Sequence, residues 1–205
     1  MTHKGTVTLE TERLILRPLA PDDFEAVHSW ASNPANTYYM LWGPNSEKQT
    51  KEFLSQVKPG KDFAVVKKES NDVIGSCGIY PDAENNNGEL GWILHMNYWK
   101  QGYGTEVSGA LIKYGFEQLS LRRLLAECVA ENYGSRRVME RNGMRREALY
   151  RKAFRVRSEN RWTDAMAYAI LAEDYFAETG RAGREYPEFQ ERGSGGVTIW
   201  QTMLL

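Results

Sequence analysis

The sequence of 205 residues is 41% hydrophobic and 26% charged, a composition typical of one globular domain with or without an appendage. Its 26 Lys and Arg residues balance 27 Asp and Glu residues, which argues against a general nucleic-acid-binding protein, because such proteins carry a basic excess. The N-terminal stretch has no apolar signal-peptide region, and no apolar run reaches the roughly 18 residues that span a bilayer. We therefore expect a cytoplasmic protein with neither a membrane segment nor a nucleic-acid partner.

The first part of the chain has one strand pattern and two helix patterns. "LETERLILRPL" predicts a single strand that ends at Pro18. "PDDFEAVHSWAS" predicts a helix, since Pro21 opens it and acidic residues occupy its first turn. "SEKQTKEFLSQV" predicts a second helix, because Ser46 and Gln49 have the spacing of a capping box.

The remaining patterns place several strands around two further helices. "DFAVVKK", "VIGSCGIY" and "ELGWILH" predict strands, with a polar turn after the first and the longer loop "PDAENNNG" after the second. "GTEVSGALIKYGFEQL" predicts a helix, "RRLLAECVA" a central strand, and "NYGSRRVMERNG" a short helix that ends at a glycine. "EALYRKAFRV" and "RWTDAMAYAIL" predict a last pair of strands.

This order of elements predicts a mixed α/β fold with a single, mostly antiparallel central sheet flanked by helices. We expect one domain over residues 1–176. Residues 177–205 form a C-terminal extension of unknown role, rich in Gly, Arg and Glu before the apolar segment "VTIWQTMLL". That segment could dock on its own domain or on a partner, which leaves a homodimer open.

The cysteines and histidines do not predict a metal site. Cys77 and Cys128 lie in apolar, strand-like runs, so we expect buried, reduced thiols. With three histidines and no CxxC pair, a structural zinc site has little support.

The segment "YWKQGYGTE", residues 98–106, carries the first chemical signal. A strand that turns through glycines into a helix exposes backbone N–H groups at the positive end of the helix dipole, which suits an anion such as a phosphate. An ordinary tight turn is the alternative. The segment is not a P-loop, because it lacks the Gly-Lys-Ser/Thr ending, and Val107 stands where a dinucleotide-binding fingerprint needs its third glycine.

Two longer stretches together identify a family. "ELGWILHMNYWKQGYGTE" and "VAENYGSRRVMERNGM" resemble the GNAT superfamily of acetyl-CoA-dependent N-acetyltransferases, most closely the branch that contains the ribosomal-protein N-terminal acetyltransferases. The resemblance extends from "TERLILRPL" to "WTDAMAYAILAEDY" and does not cover the tail after about Phe176. It implies the GNAT fold and acetyl-CoA as co-substrate.

The resemblance also implies the residues that contact the CoA moiety. The turn would bind the pyrophosphate through Gln101, Gly102, Tyr103, Gly104 and Thr105, with Lys100 beside them. The preceding strand would pair with the pantetheine arm through Ile93, Leu94 and His95, and a main-chain N–H there would polarise the thioester carbonyl. His95 is also a candidate base, although we favour a packed or capping role.

The helix after the next strand supplies further implied contacts. Asn132 would face the cofactor and is also a good helix N-cap. Ser135 would donate a proton to the departing thiolate. Met139 stands where many members have a tyrosine as general acid, which excludes acid catalysis by a tyrosine at that position. Arg136 and Arg137 are candidates for phosphate contact, with Arg137 assigned to the cofactor and at least one of the two expected to be an exposed helix charge.

The resemblance and the chemistry together predict a general base and the residues that contact the acceptor amine. An amine is mostly protonated at neutral pH, and Glu89 is the candidate base because its position matches a glutamate that many family members use. A solvated residue after the loop is the alternative. Tyr38, Tyr39 and Trp42 would form aromatic walls for the acceptor, or pack as core and rim residues.

The predicted activity is direct transfer of an acetyl group from acetyl-CoA to a primary amine. The acceptor is either a protein or peptide N-terminus or a small amine such as a polyamine, an amino acid or an aminoglycoside. A covalent route through Cys77 or Cys128 is disfavoured, since no histidine flanks either residue. A CoA-binding sensor without turnover is the alternative from another class.

Overall fold

The protein is described by a computed structural model that covers residues 7–180. Within these residues the chain forms one sheet of eight strands in the order β1-β2-β3-β4-β5-β6-β8-β7. Neighbouring strands are antiparallel except β5 and β6, which are parallel. The strands are β1 Leu9–Glu10, β2 Leu14–Pro18, β3 Asp62–Lys67, β4 Val73–Asp82, β5 Asn87–Leu94, β6 Arg123–Val129, β7 Arg145–Val156 and β8 Arg161–Leu171.

Helices cover both faces of this sheet. They are α1 Phe24–Ala31, α2 Pro34–Thr37, α3 Glu47–Gln56, α4 Tyr103–Glu117, α5 Tyr133–Arg141 and α6 Ala172–Thr179. Short 3-10 turns lie at Pro21–Asp23, Met96–Tyr98 and Arg157–Glu159. The predicted mixed α/β class with a mostly antiparallel sheet is confirmed.

The N-terminal strand pattern corresponds to two strands instead of one. The chain turns back between β1 and β2, so that Leu9 pairs with Leu16. The side chain of Thr11 makes this turn possible because its hydroxyl accepts a hydrogen bond from the Leu14 amide at 2.9 Å. The segment does form strands, but the turn that Thr11 stabilises divides them into β1 and β2.

The predicted long loop "PDAENNNG" is also shorter than expected. β4 continues to Asp82 and β5 begins at Asn87, so four residues, 83–86, connect the two strands. Asn86 adopts a left-handed conformation with φ of 53°, and the side chain of Asp82 accepts a hydrogen bond from the Glu84 amide at 3.0 Å. The polar composition of this stretch predicted a loop, but its first and last residues pair as the end of the β4–β5 hairpin.

The core lies in two layers on opposite faces of the sheet. On one face α4 and α5 pack on the strands through residues that include Val107, Leu111 and the fully buried Met139. On the other face α1 and α3 pack on β2 and β3, with Trp30 and Leu54 at the centre of that layer. The predicted capping box of α3 is present.

The parallel neighbours β5 and β6 separate along their length. Asn87, Gly88 and Glu89 pair with β6, and within residues 7–180 no later residue of β5 does so. Beyond that point β6 continues in pairing with β8, while β5 continues in pairing with β4. The sheet therefore opens into a V-shaped gap that starts at Glu89 and widens toward the turn before α4.

The end of the described chain docks on the domain. α6 packs on α4, with the rings of Phe116 and Tyr175 5.2 Å apart and the Tyr175 hydroxyl 2.7 Å from the Glu117 carboxylate. α6 runs three residues past the predicted domain boundary at 176, and the division into domain and extension stays a prediction. The segment "VTIWQTMLL" lies outside the described residues. Among the helices described, none has the length and apolar character needed to cross a membrane.

Candidate active site

The turn that the sequence singled out forms the start of α4. Lys100 and Gly102 both adopt left-handed conformations, with φ of 61° and 84°, and Gly102 is the N-cap of the helix. The first amides of a helix have no partner within it, and here they follow a turn bent by two left-handed residues. Lys100, Gln101 and Gly102 are exposed, whereas Tyr103 is buried. This geometry gives a concave set of N–H donors at the positive end of a helix of 15 residues.

A neighbouring helix holds the back of this turn. A side chain on Gly104 would meet Val138 of α5 at 3.1 Å, so a glycine lets the two helices approach. The Asn142 amide at the end of α5 donates hydrogen bonds to the carbonyls of Thr105 at 3.1 Å and Val138 at 2.9 Å. The first turn of α4 is thereby fixed to α5.

The open edge of β5 presents a specific subset of backbone groups to the gap. The His95 amide donates to the Ile74 carbonyl of β4 at 2.8 Å. Because alternate residues of an antiparallel strand bond to the same neighbour, Ile93 shares this direction, while Trp92 and Leu94 face the gap. Among Ile93, Leu94 and His95, Leu94 is thus the residue whose amide points to the gap. The Trp92 amide has the same direction, which residue identity alone does not reveal.

A buried asparagine fixes the end of β5. Asn36, at the end of α2, donates from Nδ2 to the Leu94 carbonyl at 2.8 Å and accepts from the Met96 amide at 3.2 Å. The Trp99 indole donates to the same carbonyl at 2.8 Å. His95 caps the following 3-10 turn, because its Nδ1 accepts from the Asn97 amide at 3.2 Å. This is the capping role that the sequence favoured for His95 over that of a base.

The helix α5 starts at the other side of the gap. Asn132 is its N-cap and accepts a hydrogen bond from the Ser135 amide at 3.1 Å, as the sequence predicted for a cap. Ser135 is half-buried in the first turn of the helix. Met139 is fully buried in the core, and its thioether has no proton to donate.

The two arginines of α5 occupy different environments. Arg136 donates to the Ala130 carbonyl at 3.3 Å and stacks over the ring of Tyr133 at 5.1 Å. The neighbouring Tyr168 hydroxyl raises the pKa of the Arg136 guanidinium. Arg137 is exposed. Arg136 is therefore held against the sheet, whereas Arg137 lies on the exposed side of α5.

Glu89 lies at the vertex of the gap. It is half-buried, pairs with Tyr80 of β4 and Leu125 of β6, and ends the β5–β6 pairing. Leu90 and Leu94 face α4, so alternation along the strand puts Glu89 on the opposite face of the sheet. Burial raises the pKa of the Tyr80 hydroxyl, and the nearby charges of Asp62 and Glu89 add to that effect.

A second carboxylate lies on the same face of the gap. Glu127 of β6 comes two residues after Leu125, the partner of Glu89, and alternates with the buried Ala126. The residue is exposed to solvent, yet the protein around the carboxylate desolvates it enough to raise its pKa. The sequence analysis missed Glu127, although a charge inside the apolar strand "RRLLAECVA" was an available signal.

Tyr38 belongs to a polar cluster at the mouth of the gap. Its hydroxyl donates to the carboxylate of Glu159, in the β7–β8 turn, and this carboxylate also accepts from Arg161. Arg161 in turn donates two hydrogen bonds, both of 2.7 Å, to Glu131, at the end of β6. These bonds lower the pKa of Glu131 to about 2. The cluster therefore connects α2, β6 and the β7–β8 hairpin across the mouth.

The other two aromatic candidates differ from each other. Tyr39 packs edge-on against Tyr38, with ring centroids 4.6 Å apart. Its hydroxyl lies in the same cluster, where burial first and the charge of Tyr38 second raise its pKa. Trp42 is half-buried against the layer formed by α1 and α3, which is the packing role that the sequence left open.

Neither cysteine is suited to act as a nucleophile. Cys77 is buried and Cys128 is half-buried, and both are free thiols. Burial raises the pKa of Cys77, and it raises that of Cys128 to about 12. Both thiols therefore stay protonated at neutral pH, and the thiol is a far weaker nucleophile than the thiolate.

These features fit a CoA thioester. A diphosphate would meet the backbone donors around Gly102, and an extended arm with amide groups would add to the open edge of β5 in the manner of an extra strand. The thioester end of the arm would then lie between the end of β5 and the start of α5, on the side of the gap that leads to Glu89. The fold and the site together define an acyltransferase.

Comparisons with known proteins specify the family. A family model for the acetyltransferase (GNAT) domain matches residues 13–145. The chain is 32% identical over 169 residues to YnaD, an uncharacterized N-acetyltransferase of Bacillus subtilis (strain 168). This alignment covers 82% of this chain and 98% of YnaD. The crystal structure of a GNAT-family acetyltransferase from Bacillus anthracis superposes with a TM-score of 0.75 and 34% identity over 82% of this chain and 99% of that one. The chain belongs to the GNAT acetyltransferase family.

The family defines the reaction type and the donor. The protein is an N-acetyltransferase that uses acetyl-CoA as co-substrate. The ribosomal-protein-S5-alanine acetyltransferase from Vibrio fischeri also superposes, with a TM-score of 0.67 over 82% of this chain and 98% of that one. At 19% sequence identity, this superposition shows that the two proteins share a fold. It gives no information about the acceptor of this chain.

Proposed function

We propose that this N-acetyltransferase acetylates a primary amine by direct transfer, with Glu89 as the base and Ser135 as the proton donor to the leaving thiolate. The observation that carries the proposal is the position of Glu89 at the vertex of the gap, half-buried and beside the open edge of β5. A carboxylate there can accept a proton from an ammonium group directly or through one water. The acceptor amine, with a pKa near 10 by analogy with lysine, must lose that proton before it attacks.

The steps balance around three groups of the protein. The ammonium group first passes one proton to Glu89, and the neutral nitrogen then forms a bond to the thioester carbonyl carbon. The Leu94 amide, at the open edge of β5, is the proposed donor to the carbonyl oxygen, where negative charge develops. The carbon–sulfur bond then breaks, and Ser135 supplies a proton to the sulfur. The second proton of the nitrogen passes through water to restore the Ser135 hydroxyl, and Glu89 releases its proton to solvent. Acetyl-CoA contributes the acetyl group and the thiolate that leaves.

The proposed CoA contacts follow the same geometry. The amides of Gln101, Gly102, Tyr103, Gly104 and Thr105, with the side chains of Lys100 and Arg137 near the rim, would bind the pyrophosphate. Trp92 and Leu94 would bind the pantetheine arm, while Ile93 and His95 support the strand from the β4 side. Asn132 would keep its role as the cap of α5.

For the acceptor, we propose a protein or peptide N-terminus, in the manner of the ribosomal-protein branch. A cavity of about 280 Å³ between α2 and the β7–β8 turn adjoins Tyr38 and leaves room for residues that follow the amine. A small cationic amine is the second candidate. The observation in its favour is that Glu131 and Glu159 place two carboxylates near Tyr38, with one arginine between them.

Two experiments test the proposal. Glu89→Gln should lower kcat strongly while the Kd for CoA changes little, because the substitution removes the base and leaves the backbone cradle intact. Turnover equal to that of the unmodified enzyme would remove Glu89 as the base. An acetyl-transfer screen over N-terminal peptides and small amines, read by CoA release, would then assign the acceptor class. Acetyl-CoA binding without turnover on any amine would instead favour a sensor.

A further inference from the structure

The carboxylate of Glu106 joins the corner between β1 and β2 to the start of α4. Glu106, in the first turns of α4, accepts hydrogen bonds from the Thr11 hydroxyl at 2.5 Å, the Arg13 amide at 2.8 Å and the Arg13 Nε at 2.7 Å. The Arg13 Nη2 also lies 2.7 Å from Glu106. Burial alone would raise the pKa of Glu106, but these bonds outweigh it and lower the pKa.

The guanidinium that Glu106 holds reaches the glycine turn itself. The Arg13 Nη1 donates to the Gln101 carbonyl at 3.0 Å, and the guanidinium lies 4.3 Å from the centroid of the Tyr103 ring. A Cβ on Gly102 would lie 3.3 Å from the Arg13 Nη2. The arginine therefore packs against the turn, between the residue before the helix cap and the first residue of the helix.

This contact determines the direction of one amide. A trans peptide is planar, with its carbonyl and its N–H on opposite sides. The Gln101 carbonyl points to Arg13, so the N–H of Gly102 in the same peptide points away from Arg13. The peptide joins Gln101 to Gly102, and the two neighbours of Gln101, Lys100 and Gly102, are both left-handed. A non-glycine residue such as Lys100 stays left-handed only where its surroundings hold it there.

We propose that Arg13 and Glu106 are a positioning pair that orients the peptide between residues 101 and 102, and thereby sets the affinity of the turn for the diphosphate of acetyl-CoA. The inference rests on the placement of the diphosphate at this turn in the proposed function. Because Glu106 neutralises much of the charge of Arg13, the pair acts mainly through geometry. Arg13 and Glu106 lie 93 positions apart in sequence, and neither belongs to the glycine motif.

The test compares arginine variants that keep or remove the fork of hydrogen bonds. Arg13→Lys keeps the charge and loses the planar fork, so the Kd for CoA, measured by calorimetry, should rise about tenfold, the factor expected for one lost hydrogen bond to a charged group. Arg13→Ala should raise it further. Arg123→Lys is the matched control, since Arg123 also makes a bidentate pair, with Glu147 at 2.7 and 2.6 Å, and lies outside the turn.

A second donor separates a positioning role from a general loss of structure. S-acetylpantetheine lacks the diphosphate, so Arg13→Lys should lower kcat/KM for acetyl-CoA and leave kcat/KM for S-acetylpantetheine unchanged. An equal loss with both donors would show a merely structural role and overturn the proposal. A Kd for CoA in Arg13→Lys equal to that of the unmodified protein would overturn it as well. If Arg13→Ala fails to fold, Arg13→Lys and Glu106→Gln carry the test.

One more variant distinguishes this inference from the proposed function. Gly102→Val places a branched side chain at a φ of 84° and against Arg13, which should disrupt the turn directly. If Gly102→Val weakens CoA binding and Arg13→Lys does not, the positioning pair is wrong and the diphosphate site stands. If neither variant weakens binding, the diphosphate does not bind at this turn, and both proposals about it are overturned.

Discussion

The Leu94 carbonyl accepts two side-chain hydrogen bonds, and their removal should be strongly non-additive. Asn36 and Trp99 each donate to this oxygen at 2.8 Å, and Leu94 is buried. Asn36→Ala removes one donor and leaves the Met96 amide without its 3.2 Å bond to Asn36. Trp99→Phe removes the other donor and keeps most of the ring.

The structure gives the size of each effect. After Asn36→Ala the Leu94 oxygen keeps the indole donor, and Met96 is exposed enough for water to reach its amide, so the loss of unfolding free energy should be about 2 kcal/mol. Such a loss lowers the Tm by about 4–8 °C in a domain of this size. Trp99→Phe alone should cost about 1 kcal/mol, because Asn36 still satisfies the oxygen.

The double variant leaves the buried oxygen without either side-chain donor. Its loss should therefore exceed the sum of the two single losses by about 1 kcal/mol, the coupling expected for groups that share a partner. Urea unfolding of the four proteins, followed by circular dichroism at one pH, measures this coupling. A double loss that equals the sum of the single losses would refute the reasoning, since it would mean that the two donors do not satisfy the same oxygen.

Two further predictions concern groups outside the glycine turn. Asp23 accepts two hydrogen bonds from Arg17, at 2.9 and 2.6 Å, and these outweigh the effect of burial and lower its pKa. Its stabilising contribution is therefore present above the unfolded-state pKa of about 3.9 and lost as the pH falls through the lower folded pKa, so Asp23→Asn should reduce the urea midpoint at pH 7 and have a smaller effect below about pH 4. A midpoint difference that does not change with pH would contradict this. For Cys128, whose pKa burial raises to about 12, the Cys128→Ala variant should keep its turnover, and intact-mass spectra of the unmodified enzyme with acetyl-CoA should show no acetyl adduct. An inactive variant together with an acetyl adduct on the unmodified enzyme would support the covalent route.

Local sequence was informative wherever a local interaction decides the structure. The capping box at Ser46, the cap at Asn132 and the glycine that ends α5 were predicted because each depends on neighbours within a few residues. The family was predicted from the resemblance of the glycine turn and the stretch after β6 to the GNAT superfamily. The two errors of extent, in the β1–β2 segment and the β4–β5 loop, arose where a side-chain hydrogen bond or strand pairing overrides propensity.

Strand and helix periods in the sequence alone thus predicted the fold class, and the resemblance of two stretches to the GNAT superfamily predicted the family and the donor. The tertiary structure decided which groups meet. Pairing with β4 selects Leu94 over Ile93 at the open edge, and the separation of β5 from β6 puts Glu89 at its vertex. Packing brings Arg13 to the glycine turn and Asn36 to the end of β5. The last two contacts join residues 88 and 58 positions apart, and such distances in sequence carry no signal in a single chain read on its own.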